Sequence, residues 1–281
     1  MKKLIAVILA ALILAGSFGL TAFAARQTRY LVLGDSIAYG SGLSNSKEAV
    51  YGKIVADTNG YEYENYAVPG HTTENLLSRM ENETVKEAIG KADIVNISIG
   101  GNNFLLGNIN SLLYDGIVAE DYTRFDELAE NFYKDLEKIV NVIRSSNKSA
   151  LIIIQTIYNP QTGYVGQVYQ QGADRLNAKM FEFAKANPGQ IAVADVAKAL
   201  TDAGDFASDM IHPSAAGNEK IAETILQTLA ENGYSRGSEK LVIKEQGKDI
   251  QGTGAFSLFV NLYGRIFHLL AVIRNLFSFG R

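Results

Sequence analysis

The sequence predicts an α/β fold in which helices cover both faces of a parallel β-sheet, and two observations support it. Short apolar segments alternate with longer amphipathic ones between Thr28 and about Asn232. The segment Ala150–Gln155 is apolar almost throughout, as expected of a strand that is covered on both faces. Such an alternation predicts a parallel sheet whose ligands bind beyond the carboxyl ends of the strands.

The predicted elements follow one another in a regular order along the chain. We predict strands at 29–33, 61–67, 93–99, 150–155 and 191–195. We predict helices at 47–57, at 72–89 in two pieces, and at 125–144, 173–186 and 214–231. The loops that follow the strands are therefore where the functional residues should be sought.

Composition excludes several classes of protein and of site. The formal net charge of −4 argues against nucleic-acid binding, which depends on neutralising phosphates. The absence of cysteine excludes thiol nucleophiles, disulfides and thiolate metal sites. The three histidines are His71, His212 and His268, they are scattered, and no H-E-x-x-H motif accompanies them. We therefore expect neither a metal nor another cofactor.

Residues 1–24 have the features of a secretory signal peptide. Lys2 and Lys3 precede an apolar stretch at Leu4–Leu14, and Ala22-Phe23-Ala24 forms an A-x-A cleavage site. An uncleaved N-terminal anchor is the alternative. We expect an exported, extracytoplasmic protein.

The chain changes character after Gly233. Residues 233–256 are rich in Gly, Lys, Glu and Gln and are interpreted as a linker, with one apolar patch at Leu241–Ile243. Residues 257–281 predict an amphipathic helix with one narrow polar stripe that includes Arg265 and His268. Three interpretations compete: the helix lies on a membrane surface, which we favour, docks on its own domain, or binds a partner. A transmembrane span is disfavoured because Arg265 would lie inside it, at a cost of ~2.5–3.5 kcal/mol.

Ser36 is the candidate nucleophile. It follows the first strand in Gly34-Asp35-Ser36, where glycine allows a sharp turn that leaves the serine at the mouth of the sheet. A serine hydroxyl needs a base, and His212 is the best candidate. Asp209, three residues earlier, would orient the imidazole and stabilise its charged form. The alternative for Asp209 is a purely structural role as a helix cap, as it is for Ser214.

Acyl transfer also needs hydrogen-bond donors for the oxyanion, and two further strand ends supply them. Gly70 precedes a helix that is capped by Thr72 or Thr73, so its N–H could face the site. Asn102 follows the third strand and could donate a side-chain amide, although Gly-Gly-Asn-Asn is also an ordinary turn. His71 is either a substrate contact or an exposed loop residue. Three tyrosines after the fourth strand could form a substrate wall or have a plain core or surface role: Tyr158, Tyr164 and Tyr169.

The segments around Ser36, Gly70, Asn102 and His212 together resemble the SGNH, or GDSL, hydrolase family over residues 28–232. The resemblance implies a flavodoxin-like three-layer α/β/α sandwich that acts as a serine esterase. It implies that Ser36 is the nucleophile, His212 the base and Asp209 its orienting acid, with Asp35 structural. It also implies an oxyanion hole formed by Ser36, Gly70 and Asn102. The segment Gly100-Gly101-Asn102-Asn103 departs from the family's G-x-N-D pattern, since Asn103 replaces the aspartate and cannot supply its charge.

The expected activity is hydrolysis of carboxylic esters with lipid-like or short-chain acyl groups. A carbohydrate O-acetyl esterase acting on cell-wall or plant polysaccharide is the close alternative. A non-catalytic, envelope-binding protein on the same fold is a third interpretation, which the presence of Ser36, Asp209 and His212 disfavours. The expected partner is therefore a small-molecule or polymeric ester, with a membrane contact through residues 257–281 as a further expectation.

Overall fold

The computed structural model describes residues 26–106, 109–189, 191–235, 240–252 and 255–278. The predicted signal peptide at residues 1–24 lies outside the described residues. The five described strands form one parallel sheet with the order β2-β1-β3-β4-β5. They are β1 (Arg29–Gly34), β2 (Glu62–Asn65), β3 (Ile94–Ser98), β4 (Leu151–Gln155) and β5 (Ile191–Ala194). This order is that of flavodoxin-like sheets, in which ligands bind where β1 and β3 diverge.

Helices connect the strands and cover the sheet. They are α1 (Ser36–Tyr39), α2 (Ser46–Ala49), α3 (Tyr51–Asn59), α4 (Thr73–Met80), α5 (Glu83–Lys91), α6 (Gly101–Leu105), α7 (Ile109–Leu113), α8 (Thr123–Ser146), α9 (Gly163–Ala186), α10 (Val196–Ala199), α11 (Ala215–Glu231) and α12 (Ala255–Ser278). A π-helical segment spans Tyr114–Ala119, and a 3₁₀ turn spans Ala203–Asp205.

The predicted strands and most predicted helices are confirmed, with two instructive differences. The helix predicted at 47–57 is divided in two, because Val50 adopts an extended conformation between α2 and α3. Helix α9 begins ten residues before the predicted start at Ala173. Its first turns contain Gly163 and Gly166, which weaken the helical pattern in the sequence.

Successive residues of each strand face opposite sides of the sheet, which gives the three-layer arrangement. Leu31 and Leu33 of β1 lie in a core that the sheet shares mainly with helices α4, α5, α8 and α9. Tyr30 and Val32 face the other core, which is formed with α3 and α11. Because helices bury both faces, the inner strands β1, β3 and β4 are mostly apolar, whereas the edge strand β2 is polar and only partly buried.

Residues 240–252, which we call the strap, lie against the α/β domain, although the sequence indicates a linker here. The Ile250 N–H donates to the Gly42 carbonyl at 2.8 Å, and the Ser44 N–H donates to the Lys248 carbonyl at 2.8 Å. The side chains of Leu241 and Ile243 pack against the core shared with α3 and α11. The strap is therefore attached by both main-chain and apolar contacts.

Helix α12 also lies against the domain. Tyr263, Phe267 and Ala271 pack against the core formed with α8 and α9. The His268 ring stacks on the ring of Tyr164 in α9, with centroids 4.2 Å apart. Among the helices that the structure describes, none has the length and apolar character required to cross a bilayer.

Candidate active site

The turn after β1 places Ser36 at the carboxyl end of the sheet, where β1 and β3 are neighbours. Gly34 has a φ of +138°, and a Cβ atom there would lie 2.0 Å from the Ser98 carbonyl oxygen of β3, so only glycine fits. Ser36 is the first residue of α1, which Asp35 caps by accepting the Ile37 N–H at 3.0 Å. Within the described residues the Ser36 N–H has no hydrogen-bond acceptor, so it is available to a ligand.

Asp35 is buried directly beside the nucleophile. Burial raises the pKa of its carboxyl to about 7, although the Ile37 N–H and the charge of His212 act in the opposite direction. The side chain is occupied in capping α1. This geometry fits a structural role for Asp35.

The loop before α11 brings Asp209 and His212 together. Asp209 Oδ2 lies 2.6 Å from His212 Nδ1, and Asp209 Oδ1 accepts the N–H groups of Ile211 and His212 at 3.0 Å each. Burial raises the pKa of Asp209, but these hydrogen bonds and the histidine charge outweigh it and hold the pKa below its ordinary value. An ionised Asp209 fixes the proton on Nδ1, which leaves Nε2 free to act as a base.

Residues from the loop after β4 hold residues 209–212, which we call the histidine loop. Met210 has a φ of +57°, an unusual conformation for a residue with a side chain, which requires support from its surroundings. The Tyr158 hydroxyl donates to the Ile211 carbonyl at 2.8 Å, and Gln161 Nε2 donates to the Met210 carbonyl at 2.5 Å. The sequence gives no sign of these roles, because partners about fifty positions apart have no local pattern.

Asn102 is the second residue of α6, the short helix that follows β3. Its Nδ2 donates one hydrogen bond to the His71 carbonyl at 2.9 Å. Since an amide nitrogen has two hydrogens, the second remains for a ligand. The interpretation of His71 as a substrate contact stays a prediction; its side chain is half-buried, and its Nδ1 is buried without a partner among the described residues. Its main-chain carbonyl instead orients Asn102.

Gly70 lies in an exposed turn with a φ of +82°, near the start of α4. Its N–H has no acceptor within the described part of the chain. Gly70 is not among the residues that line the pocket beside Ser36, so its role as an oxyanion donor stays a prediction.

Asn103 belongs to a hydrogen-bond chain that ties two of these loops to α8. Its Oδ1 accepts the Thr73 N–H at 3.0 Å, and its Nδ2 donates to Thr73 Oγ1 at 2.8 Å. The buried Thr73 hydroxyl then donates to Asp135 Oδ2 at 2.6 Å. The carboxylate that is missing at position 103 therefore has a counterpart at Asp135, on the far side of Thr73.

The pocket beside Ser36 joins several of the predicted site residues. Ser36 and Asn102 line it together with Ile211 of the histidine loop. Tyr158 and Tyr169 form part of its wall, whereas Tyr164 contacts α12. The remaining lining residues comprise an apolar group, Ile37, Ile99, Leu105, Ile157 and Val196, and a polar group, Asp35, Ser98, Gln155 and Thr156, with Gly101.

Ser36 and His212 are not joined by a hydrogen bond within the described residues. The segment after Ser36 does reach this histidine, since the Ser41 N–H donates to the Ser36 carbonyl and a Cβ atom at Gly42 would lie 2.8 Å from His212 Cβ. Hydrogen bonds between catalytic groups are often long in free enzymes and tighten when substrate binds. In the part of the chain that the structure describes, no three His, Asp or Glu side chains are grouped as a metal site.

A family model and a curated protein match this chain in sequence. A model of the GDSL-like lipase/acylhydrolase family matches residues 32–220. The "Uncharacterized protein YpmR" of Bacillus subtilis (strain 168) is 26% identical over 215 residues, which cover 73% of this chain and 82% of that protein.

Two solved structures show a similar fold. The lipase Lip_vut3 from a goat rumen metagenome has a TM-score of 0.59 at 23% identity and covers 75% of this chain and 100% of its own. Phospholipase A1 from Streptomyces albidoflavus NA297 has a TM-score of 0.58 at 18% identity, covering 72% of this chain and 99% of its own. At these identities the likeness establishes the three-layer fold.

Proposed function

The chain belongs to the GDSL-like lipase/acylhydrolase family, and we propose that it is an exported serine esterase. It cleaves carboxylic esters of lipid-like or short-chain acyl groups through an acyl-enzyme on Ser36. The observation that carries this proposal is the Asp209–His212 pair at 2.6 Å in a loop whose Ile211 lines the same pocket as Ser36.

In the first half of the reaction, Ser36 Oγ attacks the ester carbonyl carbon while its proton passes to His212 Nε2. The resulting oxyanion accepts hydrogen bonds from the N–H groups of Ser36 and Gly70 and from Asn102 Nδ2. The C–O bond to the leaving group then breaks, and the imidazolium gives its proton to the departing alkoxide. The products are an alcohol and an acyl-enzyme.

In the second half, His212 Nε2 removes a proton from water, and the hydroxide oxygen attacks the acyl carbon. The bond to Ser36 Oγ breaks, and the imidazolium returns the proton to the serine. Asp209 remains ionised throughout and stabilises the imidazolium in both halves. A free carboxylic acid is released.

The apolar wall of the pocket supports an acyl group rather than a sugar as its occupant. Ile99, Leu105 and Ile157 line the same pocket as Ser36. Apolar walls with a few convergent polar groups are typical of sites for apolar ligands. A polysaccharide would instead need several hydrogen-bonding side chains along an open groove.

The proposal is tested by comparing Ser36→Ala with Ser78→Ala, which changes an exposed serine on α4. With p-nitrophenyl butyrate we expect Ser36→Ala to lower kcat by at least about 10⁴-fold, whereas Ser78→Ala retains full activity. Undiminished hydrolysis by Ser36→Ala would overturn the proposal. No hydrolysis of any ester by the unmodified protein would favour a binding role instead.

A substrate series distinguishes the ester classes. We expect kcat/KM to increase from p-nitrophenyl acetate to the butyrate, with measurable turnover of lysophosphatidylcholine. Release of acetate from acetylated xylan at a rate above that of all lipid-like esters would instead indicate the carbohydrate esterase.

A further inference from the structure

Helix α12 has two apolar faces among its described side chains, and the domain packs against one of them. Tyr263, Phe267 and Ala271 form the packed face. Gly264 allows close approach, since a Cβ atom there would lie 2.7 Å from a methyl carbon of Val165 in α9. Arg274 donates to the Val118 carbonyl and lies 3.6 Å from Glu120. These contacts fix the rotation of the helix about its own axis.

The outward face carries a continuous apolar stripe. Its members, which we call the outer stripe, are Leu262, Ile266, Leu269, Ile273 and Leu276. They are 40% to 71% exposed and are separated by four, three, four and three residues, so they lie in one line along the helix. Five aligned aliphatic side chains in water mark a binding surface rather than ordinary surface scatter.

The charges beside the outer stripe indicate its partner. From Ile250 to Arg281 the sequence has no acidic residue, and its cations are Arg265, Arg274 and Arg281. Arg265 is exposed and directly precedes Ile266 of the stripe. Two copies of a helix joined along such a stripe normally pair opposite charges at its flanks, which this helix does not supply. An anionic lipid surface complements both the stripe and the arginine.

Helix α12 packs beside an element that contributes to the pocket wall. Helix α12 contacts the first turns of α9 through Tyr164, and Tyr169, one and a half turns further along α9, lines the pocket beside Ser36. Other exposed large apolar side chains follow the carboxyl ends of β1, β3 and β4: Tyr39, Leu106, Tyr114 and Tyr164. Exposed apolar side chains thus also follow the strand ends from which the proposed site is built.

We propose that α12 is an interfacial docking helix, which packs on the hydrolase domain by one face and lays its outer stripe on an anionic membrane surface. The structure combines two interpretations that the sequence leaves as alternatives, since the helix contacts its own domain and still presents a free apolar face. Docking would bring the pocket to acyl chains at the membrane surface. Only this last step rests on the proposed esterase function.

The test measures binding to vesicles of phosphatidylcholine with and without phosphatidylglycerol, using the full protein with Ser36→Ala so that no lipid is consumed. In this background, one variant carries Leu262→Ser, Leu269→Ser and Leu276→Ser. The matched control is Phe181→Ser, which removes an apolar side chain that is 46% exposed on the distant half of α9. Arg265→Gln tests the charge separately.

We expect the triple variant to bind mixed vesicles on the order of 100-fold more weakly, since each leucine loses burial in the interface. Arg265→Gln should weaken binding about fivefold, and only when the anionic lipid is present. Phe181→Ser should bind normally. With Ser36 restored, all variants should hydrolyse soluble p-nitrophenyl butyrate at the original rate, which also shows that they fold.

Equal vesicle binding by the original and the triple variant would overturn the proposal. So would a dimer in light scattering that the triple substitution converts to a monomer without any effect on vesicle binding, because the stripe would then join two copies. Failure of the esterase function appears separately, as absence of hydrolysis in the protein with Ser36 intact, and leaves the vesicle result unaffected.

Discussion

The hydrolase domain and the C-terminal extension are built on different principles. In the domain, each proposed catalytic group stands at the carboxyl end of a strand or just before a helix, in a short motif that is visible in the sequence. In the extension, the strap and α12 are held by contacts with residues far away in the chain, such as Ile250 with Gly42 and His268 with Tyr164. We therefore expect substitutions in the domain to change the chemistry, and those in the extension to change positioning and binding.

The largest expected effect is that of Asp209→Asn, which leaves the size of the side chain unchanged and removes its charge. The amide no longer stabilises the imidazolium or fixes the proton on His212 Nδ1, so kcat should fall on the order of 10⁴-fold. Kinetics with p-nitrophenyl butyrate measure it.

Asp202→Asn is the matched control, since Asp202 is an exposed aspartate that binds Lys220 outside the pocket. Its kcat should be unchanged. If both variants lost activity equally, the loss would come from general damage and the catalytic assignment of Asp209 would be wrong.

The second effect concerns stability and pH at Asp35. Its folded-state pKa of about 7 lies above the ordinary value near 4, so the folded protein retains this proton while the unfolded chain loses it. The free energy of unfolding should therefore fall, relative to Asp35→Asn, as pH rises from about 4 to about 7, by up to about 4 kcal/mol. Urea unfolding of both proteins across this range provides the measurement. A difference that does not vary with pH would contradict it.

The third effect tests whether the hydrogen-bond chain from Asn103 through Thr73 to Asp135 works with its carboxylate at either end. Asn103→Asp places two carboxylates on the single Thr73 hydroxyl hydrogen, so the loops of Asn102 and Gly70 should shift and kcat/KM should fall about tenfold, or about 1.4 kcal/mol. Adding Asp135→Asn restores a donor, and the hydrogen bonds can run in the opposite direction. The double variant should therefore recover activity.

The control for this pair is Asp135→Asn alone, which can still accept the Thr73 hydroxyl and should have a small effect. Non-additivity of the two substitutions measures the coupling. If Asn103→Asp were as active as the original protein and the two changes simply added, the chain from Asn103 to Asp135 would have no part in positioning.

The sequence allowed most of the sheet to be predicted because β1, β3, β4 and β5 are mostly apolar, a local property that five successive residues reveal, whereas β2 was predicted from an alternating pattern. The proximity of Asp209 to His212 was predictable for the same reason, since three residues separate them. The helices between Gly101 and Ala119 were not predicted, because no strong apolar period marks these short segments. The roles of Tyr158 and Asp135 were also out of reach, since their partners Ile211 and Thr73 are 53 and 62 positions away.

The smallest expected effect belongs to the strap and tests the comparison directly. Ser214 is the N-cap of α11, and Asp249 Oδ1 adds a second cap by accepting the Ala215 N–H at 2.7 Å. Ser208 Oγ donates to the Ile250 carbonyl at 3.0 Å. Ser208 and Ala215, the two residues that the strap contacts here, flank the loop that carries Asp209 and His212. Asp249→Ala should lower the free energy of unfolding by about 1 kcal/mol, the usual effect of losing a helix cap.

For a domain of this size that loss corresponds to a melting temperature lower by about 2–4 °C. Because Gly42, which the strap also holds, packs against His212, kcat/KM should fall only a few-fold and KM should change little. Glu245→Ala removes an exposed carboxylate from the same strap and should match the original protein in both measurements. A loss of activity as large as that of Asp209→Asn would mean that the strap is part of the catalytic unit, because a lost cap alone cannot change kcat by that factor.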